Sequence, residues 1–208
     1  MNITIIGTGN VGRALGTGWV RAGHAVVFGS REPNGEKAQG AVTASGGRAA
    51  YIGEAVVGAE VVVLAVPWSA VEPLLAEFGG AFAGKVLVDA VNPIAPGFTL
   101  ALGHTTSGGE FVAARAPGAQ VVKCFNTTGW ENMLDPIYGG EPTAMFLCGD
   151  EAGARARVAQ LARDLGFEPV DVGGLAMARH LEPLAMVWIS YAIGQKQGRG
   201  VAFKIVRR

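Results

Sequence analysis

Apolar residues fall along this chain in short, nearly unbroken runs. Ile3–Ile6, Ala25–Phe28, Glu60–Val66, Lys85–Val91 and Ala119–Phe125 read as strands. Runs without alternation suit parallel strands covered on both faces. Helix signals lie between them, from about Val11 to Ala22, from Glu36 to near Gly46-Gly47, and over Ala70–Phe78 and Glu110–Arg115. Tyr51 and Ile52 suggest a short strand before Gly53–Val57. Gly23-His24 stops the first helix, with His24 a turn residue. Pro67-Trp68-Ser69 and Asn92-Pro93 close two of the strands, and Pro96-Gly97 and Gly108-Gly109 punctuate a loop.

Strands alternating with helices predict an α/β fold, a doubly wound parallel (Rossmann) sheet. A second part begins near Pro142, with a strand over Thr143–Cys148 and a helix over Glu151–Leu165 stopped by Gly166. A strand over Glu168–Val172 and a long apolar helix over Leu184–Gln195 complete it. This predicts a dinucleotide-binding domain over 1–141 and a small C-terminal α/β part over 142–208 packed tightly on it. Leu184 to Ile193, the longest apolar stretch, reads as a buried helix.

The first strand runs into Gly7-Thr8-Gly9-Asn10-Val11-Gly12, a G-x-G-x-x-G turn opening a helix. Gly7 allows the tight turn, Gly9 lets a pyrophosphate approach the backbone, and Gly12 lets the helix pack on the strand. The free N–H groups of the first helical turn and the helix dipole then favour phosphate. The motif alone is weak, but strand before and helix after make it a dinucleotide site.

The end of the second strand selects the nucleotide. An NAD site carries a carboxylate about 20 residues past the glycines to bind the ribose 2′-OH. Here the strand ends in Gly29-Ser30-Arg31, a hydroxyl and a guanidinium suited to a 2′-phosphate. One charge-assisted hydrogen bond contributes about 1.5–3 kcal/mol, so the pair predicts NADP(H). Lys37 offers a third contact, whereas Glu32 is placed to occupy Arg31.

Ligands of open α/β sheets lie beyond the strand C-termini near the switch point. The candidates are Val66-Pro67-Trp68, Asn92-Pro93-Ile94 and Phe125-Asn126-Thr127-Thr128. Trp68 reads equally as core and as cleft wall; Asn126 and Thr127 read as facing the cofactor. No Ser/His/Asp triad, metal cluster, tyrosine–lysine pair or Gly-x-x-x-Asn-x-x-Lys pattern stands out, and no side chain is assigned a catalytic role. His104, in a Gly-rich loop, and His180, before the last helix, read as structural. Hydride exchange between two redox cofactors needs stacked rings and exclusion of water more than acid–base groups.

Composition narrows the partners. Lys+Arg and Asp+Glu number 17 each, so no basic footprint for nucleic acid exists. No run reaches the roughly 18 apolar residues of a membrane helix, and Met1 leads straight into the first strand without a basic leader. Cys124 and Cys148 read as buried, reduced thiols. A cytoplasmic protein acting on a small-molecule electron acceptor or donor is expected.

Gly7–Gly12, Gly29-Ser30-Arg31 and Val66-Pro67-Trp68, with the small C-terminal part, resemble the NADPH-dependent reductases of the deazaflavin coenzyme F-420. That family includes the oxidoreductase domains of six-transmembrane metalloreductases. The resemblance covers nearly the whole chain, including Leu181–Trp188 and Phe203-Lys204. It implies hydride transfer between nicotinamide and a deazaflavin (F-420) or flavin-like ring in a cleft between the two parts. Thr8, Gly9, Asn10 and Val11 would meet the pyrophosphate; Ser30, Arg31 and Lys37 the 2′-phosphate; Pro67 and Trp68 the nicotinamide. It also implies a homodimer, with the last helix suited to the interface. Lys123 to Met133 departs from the deazaflavin reductases and looks more like a bacterial subgroup known only as dinucleotide-binding, which leaves the acceptor open. Two other readings stand beside this one. A small-substrate dehydrogenase or imine reductase would need His104 or His180 as proton donor; an NADP(H)-sensing module would bind without turnover.

Overall fold

The computed structural model describes residues 1–208. The first half supplies β1 (Asn2–Ile6), α1 (Asn10–Arg21), β2 (Ala25–Ser30), α2 (Glu36–Ser45), β3 (Arg48–Tyr51), α3 (Ile52–Val57), β4 (Val61–Leu64), α4 (Trp68–Phe78) and β5 (Val86–Asp89). A hairpin of β6 (Ile94–Ala95) and β7 (Thr99–Leu100) precedes α5 (Gly108–Arg115), β8 (Gln120–Lys123) and α6 (Trp130–Leu134). A second hairpin, β9 (Ile137–Tyr138) and β10 (Glu141–Pro142), leads to β11 (Ala144–Gly149), α7 (Ala152–Asp164), β12 (Glu168–Asp171) and α8 (Ala178–Ile189).

Eight strands form one sheet in the order β12-β11-β8-β5-β4-β1-β2-β3. Every neighbouring pair is parallel except β11 with β8. The chain winds outward from β1 in one direction and from β4 in the other, so the switch point falls between them. β11 and β12 extend the same sheet.

Apolar runs bury both faces because successive side chains point to opposite sides. Ile3, Ile5, Val61, Val63, Val86 and Val88 pack with Leu15 and Trp19 of α1 and Val158 and Leu161 of α7. Val62, Leu64 and Leu87 pack on the other face with Val71, Leu75 and Val112 of α4 and α5. The Trp19 indole N–H donates to the Leu161 carbonyl at 3.0 Å, tying α7 to α1. Cys124 and Cys148 are free and buried; burial pushes the first thiol well above its usual range and the second up to about 12.

Four expectations shift. Trp68 opens α4 instead of ending the strand before it, and Ile52 opens α3. The last helix begins at Ala178, so His180 lies within it. Pro183 reads as a breaker in sequence, but the buried contacts of Leu181, Glu182 and Ala185 carry the helix through. It continues into a π-type turn, Ser190–Gly194. Nor is the apolar stretch buried all round: Leu181, Ala185, Trp188 and Ala192 face inward, while Val187 and Tyr191 are 58% and 54% exposed. The hairpins and α6 are too short to carry a periodic signal.

Two constraints hold the strand ends. Gly7 has φ +127°, and a Cβ there would lie 2.2 Å from the Ala65 carbonyl oxygen; one on Gly12 would lie 2.0 Å from that of Gly7. No side chain fits between β1, α1 and the end of β4. Across the sheet, the fully buried Lys123 ammonium sits 2.9 Å from Asp89 Oδ2 and 2.7 Å from Glu182 Oε1, and also donates to the Val91 carbonyl. The Glu182 carboxylate accepts the Gly108 and Gly109 N–H groups at 2.9 and 3.0 Å, at the N-terminus of α5. Burial pulls the lysine pKa down, but Asp89 and Glu182 outweigh it and hold it above its ordinary value.

Gly12→Ala is expected to lower stability by about 3 kcal/mol in urea unfolding. Gly9→Ala, whose Cβ meets nothing within 4 Å, should stay within about 0.5 kcal/mol of wild type. Lys123→Met leaves two buried carboxylates unpaired and should cost about 3–5 kcal/mol at pH 7. Because the folded lysine pKa is raised, its stabilisation is complete below the ordinary 10.5 and lost as pH rises through the higher folded value. The gap to Lys123→Met should therefore be constant through neutral pH and close only in strong alkali.

Candidate functional site

Two clefts open at the C-terminal edge of the sheet, on either side of the switch point. The first, about 220 Å³, lies between the ends of β1 and β2 and one face of α4. Gly7, Thr8, Ser30, Arg31 and Val66 line it. The second, about 450 Å³, lies between the start of α1 and the ends of β4 and β5, against Gly9, Val11, Val66, Pro67, Trp68 and Asn92. Val66 lines both, so the two clefts adjoin beside the glycine turn.

That turn leaves donors free. Gly9 is the extended N-cap of α1 with no side-chain cap, and no acidic residue occupies the first turn. The first helical bond runs from Arg13 N–H to the Gly9 carbonyl, leaving the N–H groups of Asn10, Val11 and Gly12 outside the helix ladder. The Arg13 guanidinium donates to the Thr8 carbonyl at 3.0 Å and pins the loop. Gly9 and Asn10 are exposed, while Gly12 is buried against β1.

At the end of β2 the Ser30 hydroxyl accepts the Glu32 N–H at 3.1 Å. Arg31 is exposed and joins none of the nine ion pairs, so Glu32 does not occupy it. Lys37 is exposed on the first turn of α2 and lines neither cleft.

In the second cleft Trp68 serves both of its readings. It lines the cavity and also packs edge-on against Phe111 at 5.1 Å. Asn92 donates to the Asn126 carbonyl at 2.8 Å, and Asn126 returns a bond to Asn92 Oδ1 at 3.0 Å and another to the Leu181 carbonyl at 3.2 Å. Asn126 and Thr127 are thus buried behind Asn92, outside the cleft wall, and Asn126 Oδ1 and the Thr127 hydroxyl have no protein partner. Phe125, just before them, has φ +60°, a strained conformation for an aromatic residue. Its ring packs edge-on to Trp19 at 5.6 Å. His104 and His180 are exposed and line neither cleft.

The sequence reading missed much of the wall. Ala70, Pro73, Leu74, Glu77 and Phe78 present one face of α4 to the first cleft; their i, i+3, i+4, i+7, i+8 spacing is visible in sequence. It also missed Ile52, and the triad of Asp89, Lys123 and Glu182. Charged residues ending two apolar strands were a signal for the first two; nothing local marks Glu182.

The family model described as "NADP oxidoreductase coenzyme F420-dependent" matches residues 2–93. Metalloreductase STEAP3 of Rattus norvegicus is 34% identical over 185 residues, spanning 88% of this chain. The chain spans only 36% of that protein's length. The F420-dependent NADP reductase of Methanothermobacter thermautotrophicus is 30% identical over 215 residues, covering 93% of this chain and 90% of that protein. The crystal structure of a candidate F420-dependent NADP-reductase from Arthrobacter sp. FB24 superposes over the full length of both chains, with a TM-score of 0.89 and 33% identity. On fold, length and sequence together, the chain belongs to the F420-dependent NADP oxidoreductase family.

Proposed function

We propose that this protein is an NADP(H)-dependent oxidoreductase that passes a hydride between NADPH and a deazaflavin (F-420) or a flavin-like acceptor. The observation carrying the reading is the pair of clefts that adjoin at Val66, one holding an unpaired arginine and the other uncharged and largely apolar.

The residues present fit the nucleotide. A Cβ on Gly9 would meet nothing within 4 Å, so packing within the protein does not call for glycine there, whereas close approach of a pyrophosphate does. The N–H groups of Asn10, Val11 and Gly12 face that position without a competing carboxylate. Ser30 and Arg31 would hold the 2′-phosphate, with Lys37 near enough in sequence to add long-range charge.

When bound, the nicotinamide supplies the hydride; the protein supplies position. Val11, Pro67 and Trp68 would bound the ring and exclude water, and Asn92, locked by Asn126, would orient its polar edge. The absence of histidine from the cleft wall favours transfer between redox cofactors over a reaction needing a protein proton donor. A cytoplasmic homodimer fits the remaining surface: no helix is long and apolar enough to cross a membrane, and Phe98, Val187 and Tyr191 are exposed.

Arg31→Ala should weaken NADPH binding by about 10- to 100-fold and leave NADH within a few-fold, read by isothermal titration. Equal losses for both nucleotides would place the 2′-phosphate elsewhere.

A further inference from the structure

Besides Arg31, the first cleft has one charged lining residue, Glu77. It also lines a neighbouring shallow cleft with Ser30, Arg31, Tyr51, Ile52 and Phe78. The first cleft also carries Ile52, Val66, Pro73, Leu74 and Phe78, an apolar slot whose chemistry suits an aromatic base.

Glu77 has no hydrogen bond or ion pair within the protein, although Arg31 lines the same cleft. On the same helix, Glu72 points elsewhere and pairs with Arg115 at 3.4 Å. Glu77 shares its helical face with Ala70, Pro73 and Leu74, so the helix itself directs it to the slot. A carboxylate accepts hydrogen bonds and cannot donate.

We infer that Glu77 reads the base of the dinucleotide, accepting a hydrogen bond from the exocyclic 6-amino group of adenine and rejecting a base with a 6-oxo group. A 6-oxo base sets acceptor against acceptor, so the discrimination has an attractive and a repulsive part. Arg31 would then select the 2′-phosphate and Glu77 the base, within one cleft. The inference rests on the dinucleotide reading of this site.

The test compares binding of NADP+ with that of nicotinamide hypoxanthine dinucleotide phosphate, its 6-oxo analogue, by isothermal titration to the full chain. Wild type should prefer NADP+ by about tenfold, and Glu77→Ala and Glu77→Gln should bring the ratio to within about twofold. Glu72→Gln should keep the wild-type ratio. A wild-type protein that binds both nucleotides alike, or a Glu77→Ala variant that keeps the preference, overturns the inference while leaving the dinucleotide site intact. Failure of wild type to bind either nucleotide overturns both.

Discussion

The structure turns on a contact too close for any side chain. Gly7 meets the Ala65 backbone and Gly12 meets Gly7, each at a distance that a Cβ would violate. This brings the ends of β1 and β4 and the start of α1 together at the switch point of the sheet. Without that approach, the cleft at Arg31 and the cleft at Trp68 would be separate features. With it, they adjoin at Val66. The glycines differ in kind: packing within the protein demands Gly7 and Gly12, whereas a Cβ on Gly9 would meet nothing within 4 Å.

The opposite wall depends on charge. Lys123 links the ends of β5 and β8 to α8, and Glu182 passes that link to the N-terminus of α5. Burying three charges is costly, and an apolar replacement of similar volume is often as stable. What the ions add is direction: Lys123 holds the Val91 carbonyl, and Val91 and Asn92 line the second cleft. The strained Phe125 then turns the chain so that Asn126 and Asn92 lock each other. Precise placement of a loop beside a reacting ring is a reasonable use for such an arrangement.

Most of the fold was legible because parallel strands buried on both faces leave nearly continuous apolar runs. The long strands and helices, apart from the last helix, fell close to their expected places. The candidate nucleotide contacts could be picked out in sequence for a related reason: the glycine turn and the end of β2 are local stretches of backbone with one or two side chains each. The last helix was misplaced because Pro183 looks like a boundary, and only contacts from α5 and β8 show otherwise. Lys37 lies off the clefts because the first turn of α2 carries it to the surface, which sequence spacing cannot show. Asn126 and Thr127 sit behind Asn92 because Leu181 of α8 holds Asn126 from the far side. The face of α4 could have been read from its spacing; the role of Glu182 could not, since its partners Gly108, Gly109 and Lys123 all lie far from it in sequence.

In the proposed reaction the backbone positions two flat rings and the cofactors exchange the hydride. Its most direct test is anaerobic stopped-flow mixing of the NADPH-bound protein with coenzyme F-420 or a free flavin, following nicotinamide oxidation and acceptor reduction together. Loss of NADPH matched one-to-one by reduced acceptor, at a rate that rises with acceptor concentration, is the predicted result. NADPH that binds tightly but stays reduced in the presence of each acceptor would contradict it.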